Sequence, residues 1–171
     1  MKSIPAGPIP SVEEVPALDL ERYLPFRLSV LANRVTRAVA RVYSRNFRLS
    51  APEWRTMAVL GRYGAMTANS VVEHTAMDKV RVSRAVARLL ARGRATRRTD
   101  PEDRRRAILD LTPEGRAVYA QVVPLVLAIE RELLGDLSAE ERGALDQILH
   151  KLERRTAADL GDEGDGDGAE Y

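Results

Sequence analysis

Eleven lysine and arginine side chains crowd between residues 78 and 106: Lys79, Arg81, Arg84, Arg88, Arg92, Arg94, Arg97, Arg98, Arg104, Arg105 and Arg106. Only Asp78, Asp100, Glu102 and Asp103 oppose them, so the segment carries a net +7 within a chain whose total is +2. The other residues together are therefore acidic, and the chain is polarised despite its near-neutral total. Such concentration of one sign is the electrostatic footprint of a surface that meets a polyanion.

Helical geometry sharpens this. At about 100° per residue, Arg81, Arg84, Arg88 and Arg92 fall within roughly 80° of one another and form one outward basic stripe. Val82, Val86, Leu89 and Leu90 occupy a different arc, so the helix can bury an apolar face. Asp78 is a suitable N-cap and Gly93 a suitable C-cap residue. The bland reading is a surface helix with solvated arginines. Against it stands the continuation of positive charge beyond Gly93. Arg94 to Thr99 and Arg106 to Leu111 are strand-sized, and residues 99–103 supply turn chemistry between them. This predicts a two-stranded hairpin packed through Ile108, Leu109 and Leu111, with Arg104, Arg105 and Arg106 at or beside its tip. A helix sized for a major groove, followed by a basic hairpin that reaches the flanking minor groove, is the layout of a winged helix-turn-helix.

The run Asp100-Pro101-Glu102-Asp103-Arg104-Arg105, followed by Leu111-Thr112 and then Gly115, resembles the wing and exit of MarR-type transcriptional regulators. Ser83-Arg84 in the recognition helix and Glu53-Trp54-Arg55 upstream are similar to that family as well, and the resemblance spans roughly residues 20 to 155. It implies a homodimer that binds double-stranded DNA. It also implies that Arg105 reaches the minor groove. Asp103 is then expected to orient a neighbouring arginine, because phosphate would repel a carboxylate. Members of the family often release DNA when a small aromatic or phenolic anion binds between the dimer helices and the winged heads. Phe26, Arg27, Trp54 and Arg55 are the corresponding candidates here. The competing expectation is that Trp54 is core and Arg55 a surface or structural ion-pair residue.

Composition sets the remaining bounds. A chain of 171 residues that is 44% hydrophobic makes one domain, or one domain with a helical extension. Cysteine is absent, which excludes disulfides, thiolate metal sites and cysteine redox switching. His74 and His150 fall in different predicted helices without ligand partners at metal-site spacing, so no metal and no cofactor is expected. No apolar run approaches membrane-spanning length and no signal pattern opens the chain, so a cytoplasmic protein without membrane contact is expected. No phosphate-cradling glycine loop, metal cluster or nucleophile motif argues for an enzyme.

Around the basic segment the chain divides as follows. Residues 1–18 contain Pro5, Pro8, Pro10 and Pro16 and read as a flexible or extended arm, or as one that crosses a partner subunit. From Asp19 to Arg45, Leu24, Leu28, Leu31, Val35, Ala38 or Val39, and Val42 recur at helical spacing, with Pro25 in the first turns. Ser50 and Glu53 form a capping-box pattern that starts a helix burying Trp54, Met57, Ala58 and Leu60 up to about Tyr63. Gly61 and Gly64 loosen and close it. Thr67 or Asn69 caps a short helix through Val71 and Val72, and Ala76-Met77 leads into the recognition helix. Thr112 caps a helix of about six turns with Pro113 at its first position; Val118, Val122, Val126 or Leu125, Ile129 and Leu133 line it, and Pro124 should bend it. Ser138 and Glu141 cap a last helix striped with Leu145, Ile148, Leu149 and Leu152. Residues 161–171, rich in glycine and acid, are expected to be disordered.

The fold class is therefore mainly α with a small β-hairpin wing. The winged helix-turn-helix occupies 49–112, and the long helices of 19–48 and 113–158 form a dimerisation region, since they cannot all bury their stripes on so small a head. A compact monomeric bundle is the competing solution. The expected function is a dimeric, sequence-specific regulator, a repressor on a pseudo-palindromic operator. Lys79, Arg81, Ser83, Arg84 and Arg88 divide base and phosphate contacts, with Arg104 and Arg105 added from the wing. The alternative is a nucleoid-associated or protein-interaction winged helix without operator preference.

Overall fold

A computed structural model describes residues 17–101, 103 and 105–161, with side chains to residue 156. The arm up to residue 16, the tail beyond 161, Glu102 and Arg104 lie outside the described residues. The fold is mostly helical with one small antiparallel sheet. In order it runs α1 (Leu24–Phe47), α2 (Ala51–Tyr63), β1 (Met66–Thr67), α3 (Ala68–Thr75), α4 (Lys79–Ala91), β2 (Ala95–Thr99), β3 (Ala107–Leu111), α5 (Pro113–Leu133) and α6 (Ala139–Gly161). Residues 20–132 form one compact unit, and α6 belongs to a second.

Within the first unit, local signals set most boundaries. α1 begins at Leu24 rather than Asp19, with Pro25 in its first turn where no amide partner is needed. Its C-cap, Arg48, takes a left-handed conformation, and the amide of Arg48 closes on Ser44 O. The Ser50/Glu53 capping box forms in full at the start of α2. That helix buries Met57 and Leu60 as expected, but Trp54 and Ala58 are only partly buried, and Glu53 and Thr56 are buried instead. Thr67, rather than Asn69, caps α3 by accepting from the Ser70 amide. Of the paired options in the long helices, Val39 and Val126 are the ones that pack on the core.

The sheet has three strands in the order β1-β3-β2, not the two expected. Met66 pairs with Leu109 and Thr67 with Ile108, a two-residue strand too short to leave a periodic signal. In the hairpin Ala95 faces Leu111 and Thr99 faces Ala107. Because side chains alternate, Leu109 and Leu111 enter the core together, while Ile108 turns to the other face and is only partly buried. Around them close Tyr43, Leu49, Met57, Leu60, Val71, Val82, Leu89 and Val122, each at most 2% exposed. An aromatic column ties α1, α2 and α5 together: Trp54 stacks on Tyr43 at 5.7 Å and on Tyr119 at 6.0 Å.

The wing leaves the sheet through a tight joint. The Thr112 hydroxyl donates to Gly93 O at 2.7 Å and accepts the Gly115 amide at 2.9 Å, while the Thr112 amide donates to Arg94 O. Gly115 must be glycine because a Cβ there would lie 1.9 Å from Arg94 O. α5 runs without interruption through Pro124. Considered by itself, α6 starts with a reciprocal cap: the Ser138 amide donates to Glu141 and the Glu141 amide to Ser138. Hydrogen bonds from the Glu140 backbone and from Ser138 hold the Glu140 carboxyl below its ordinary pKa.

Gly115→Ala should destabilise the protein by roughly 3 kcal/mol, because backbone rather than a pliable side chain blocks the new methyl. Gly143→Ala, in an exposed turn of α6 with open space around it, should instead stabilise by about 0.5 to 1 kcal/mol. Urea unfolding of the two variants beside the parent checks both signs.

Candidate nucleic-acid interface

The pair α3 and α4 is joined by Ala76, left-handed at φ 50°, and Met77, which is 6% exposed. Burying Met77 anchors the turn and offsets the roughly 1 kcal/mol that a left-handed alanine costs. Asp78 then caps α4: its carboxylate accepts the Arg81 amide at 2.8 Å and pairs with the Arg81 guanidinium at 3.1 Å. Val82, Ala85, Val86 and Leu89 form the buried arc. Leu90 is only partly buried.

The C-terminal end of α4 is fixed by ion pairing that corrects the predicted stripe. Arg92 does not point outward with Arg81, Arg84 and Arg88. It is the C-cap residue, and its guanidinium turns back onto Glu53, 3.0 Å away, and onto the carbonyl of Arg48. Glu53 is 1% exposed, and its carboxylate also accepts the Ser50 amide at 2.8 Å and the Ser50 hydroxyl at 2.5 Å. Arg94 completes the joint by donating to Phe47 O at 2.7 Å. Local spacing marks Glu53 as a capping residue; its second role needs Arg92 beside it in space, which no spacing encodes.

What stays outside on α4 is Lys79, Val80, Arg81, Ser83, Arg84, Ala87 and Arg88, all exposed. Arg81, Arg84 and Arg88 flank a cleft shared with Ser50 and Pro52 at the start of α2. Lys79 and Ser83 lie on the opposite flank and, with Asn69 of α3 and Arg97 of β2, line a second cleft. The five predicted contact residues of this helix thus straddle its outer face rather than share one line. At the hairpin tip the Asp103 carboxylate accepts the Arg105 amide at 3.0 Å and sits 3.7 Å from the Arg106 guanidinium. Arg105 and Arg106 are exposed and share a groove with the first turn of α3. Arg104 lies outside the described residues. Among the described residues, Lys79, Arg84, Arg88, Arg97, Arg98 and Arg105 have no carboxylate within ion-pair distance.

Among the described residues, the four candidate effector residues fall in two groups. Phe26 and Arg27 line a cleft of about 420 Å³ with Leu24, Leu31 and Arg34 of α1. Trp54 is the middle ring of the aromatic column, and Arg55 donates to the Thr36 hydroxyl at 3.4 Å. Burial raises the Tyr43 phenol pKa, and the nearby Arg55 charge lowers it in part. His74 stacks on Tyr63 at 4.5 Å, and His150 faces Glu153 at 3.1 Å.

With this geometry established, likeness to known proteins is decisive. The MarR family model matches residues 49–106, from the start of α2 through the hairpin tip. Transcriptional regulator HosA of Escherichia coli is 30% identical over 104 residues, 61% of this chain and 77% of HosA. The chain belongs to the MarR family of transcriptional regulators. Its winged helix is therefore that of a DNA-binding regulator. The transcriptional repressor NicR of Pseudomonas putida is 30% identical over 105 residues, 61% of this chain and 66% of NicR. Among solved structures, Bordetella bronchiseptica BpsR, whose DNA binding is regulated by 6-hydroxynicotinic acid, matches at a TM-score of 0.63 and 29% identity, over 74% of this chain and 98% of BpsR. Among the described residues of this MarR-family chain, no helix is long and apolar enough to cross a membrane.

Arg92→Met should lower unfolding free energy by roughly 2 kcal/mol, less than a fully buried pair would lose because Arg92 is itself 40% exposed. Glu53→Gln should cost clearly less in the Arg92→Met background than in the parent, and a urea double-mutant cycle measures that coupling. Additive losses would refute the pairing.

Proposed function

We propose that two copies of this chain form a dimer that represses transcription from a pseudo-palindromic operator and leaves it when a small aromatic or phenolic acid binds. The observation that carries this reading is the exposed cationic face of α4, whose Lys79, Arg84 and Arg88 have no carboxylate partner among the described residues, together with the basic hairpin tip. Each α4 enters a major groove about one helical turn from its mate. Arg84 and Ser83 address base edges, while Lys79, Arg81 and Arg88 hold flanking phosphates or bases. Arg105 and Arg104 reach the adjoining minor groove, and Asp103 orients the tip through the Arg105 amide and the Arg106 charge.

Residues 49–112 act as the DNA-binding head, and 19–48 with 113–158 as the dimerisation region. Support comes from apolar side chains exposed on the single chain. On α1, Leu24, Phe26, Leu28 and Leu31 are 40 to 54% exposed, and on α6 Leu145, Ile148 and Leu149 are 38 to 54% exposed. Stripes of this kind are normally covered by a partner. The repressor assignment draws on NicR and the effector class on BpsR. Of the candidate effector residues, Phe26 and Arg27 offer an apolar wall and a guanidinium in one cleft, with Arg34 as a second cation. Trp54 is the middle ring of the aromatic column that couples α1 to the head, and Arg55 lies beside it, so occupancy would shift head spacing through that column.

Arg105→Ala should weaken operator binding about tenfold and leave the dimer mass unchanged. The slope of log affinity against log salt should fall by roughly one unit if Arg105 neutralises a phosphate. Fluorescence anisotropy across a salt series, with light scattering on the same samples, reads both; an unchanged affinity would remove Arg105 from the interface.

A further inference from the structure

The largest apolar side chain on the outer face of α4 is Val80. Val80 is 58% exposed, although it stands in the first turn of a helix that buries four other apolar residues. By helical geometry it lies roughly 170° around from the centre of the buried arc formed by Val82, Ala85, Val86 and Leu89. It therefore points directly away from the core. Ala87, Ser83 and Arg84 lie within about 60° of it, and all are exposed. Val80, Ser83, Arg84 and Ala87 make an i, i+3, i+4, i+7 ridge along the crest between the two flanking clefts.

We propose that Val80 is a specificity-determining residue that reads the C5-methyl group of a thymine in the major groove. This rests on the DNA-binding reading of α4 given above. In that groove thymine alone displays a methyl group, and apolar side chains are the groups that recognise it. First-turn residues of a recognition helix are those that meet base edges. Valine suits the task because its χ1 is nearly fixed in a helix, so its two methyl groups are held in place before DNA arrives. Solitary exposed apolar residues are common on proteins. Val80 differs in standing at the crest of a cationic face, where a lysine or arginine would form helix more readily and would add phosphate affinity. Its presence there trades charge for base discrimination. Arg84 stands one turn further along, about 6 Å in helix rise, so the thymine lies one or two base steps from a guanine bound by Arg84.

The test begins with the full chain and a randomised duplex pool, from which the preferred sequence is recovered. Each thymine in that duplex is then replaced singly by deoxyuridine, which removes the methyl group and leaves base pairing intact. For the parent protein, one thymine per half-site next to the guanine should show a loss of about three- to fivefold, the worth of one buried methyl. Val80→Ala, which strengthens helix propensity and should melt no lower than the parent, should bind the natural duplex about that much more weakly and be indifferent to the same replacement. A thymine to which parent and variant respond equally overturns the assignment to Val80 and leaves operator binding intact. So does a duplex in which no thymine methyl matters. A pool that yields no shared sequence overturns this inference together with the operator reading.

Discussion

The arrangement depends on one buried carboxylate. Glu53 accepts hydrogen bonds from the Ser50 amide, the Ser50 hydroxyl and the Arg92 guanidinium, and Arg92 in turn holds the carbonyl of Arg48. A carboxylate that is 1% exposed would be unaffordable alone; with a cation and two hydrogen bonds its desolvation is offset. Its partners come from the start of α2 and the end of α4, and through Arg92 the joint extends to the end of α1. Arg94, two residues on, repeats the device on Phe47 O. The recognition helix is thus fastened at its C-terminal end by charge and at its N-terminal end by Asp78. Its rotation about its own axis is fixed by the apolar arc between them. Once that rotation is set, so is the list of side chains that face outward.

Much of this was legible, and what was legible shares a cause. Caps and turns are short-range chemistry: Ser50 with Glu53, Thr67 with Ser70, Asp78 with Arg81 and Ser138 with Glu141 lie three residues apart, so their partners are named by the sequence itself. The hairpin and the burial of Val82, Val86 and Leu89 follow from periodicity in the same way. The errors are long-range. Arg92 lies on the same helical arc as Arg81, so local geometry cannot distinguish an arginine that faces solvent from one drawn inward by a carboxylate 39 residues earlier. β1 has two residues and is defined only by β3, more than forty positions on. By contrast, the candidate effector residues are grouped by resemblance across a dimer, and within the single chain Trp54 stands in the aromatic column while Arg55 meets the Thr36 hydroxyl. Glycine at 115 belongs to the wing-exit pattern, and its reason is now visible in the carbonyl of Arg94 pressed against it.

The charge imbalance of residues 78–106 also acquires a structural meaning. Acidic side chains are present in this stretch, yet the two whose contacts are described, Asp78 and Asp103, spend an oxygen on a backbone amide, one at a helix start and one at the hairpin tip. Each pairs with a single nearby arginine, Arg81 or Arg106, through exposed bridges worth well under about 1 kcal/mol. They shape the backbone and leave the field of the surface largely unneutralised. Arg92 is offset by Glu53, and Arg94 is turned onto the Phe47 carbonyl in the joint with α1.

The cations left on the surface have neighbours of the same sign, which raises the free energy of the isolated head. Mutual repulsion of this kind is small in salt, because charges more than about 8 Å apart are screened at physiological ionic strength. It is nonetheless the energy that a phosphate backbone relieves on contact, with counterions released in proportion to the phosphates neutralised. The rigid joint at Glu53 makes the relief effective: side chains presented from a fixed helix lose less entropy on binding than those on a mobile loop. Stability and recognition are therefore divided between the two ends of the same arginine series. Those at the C-terminal end of α4 close the fold, and those on its outer face stay exposed, Arg84 and Arg88 without a carboxylate at ion-pair distance among the described residues.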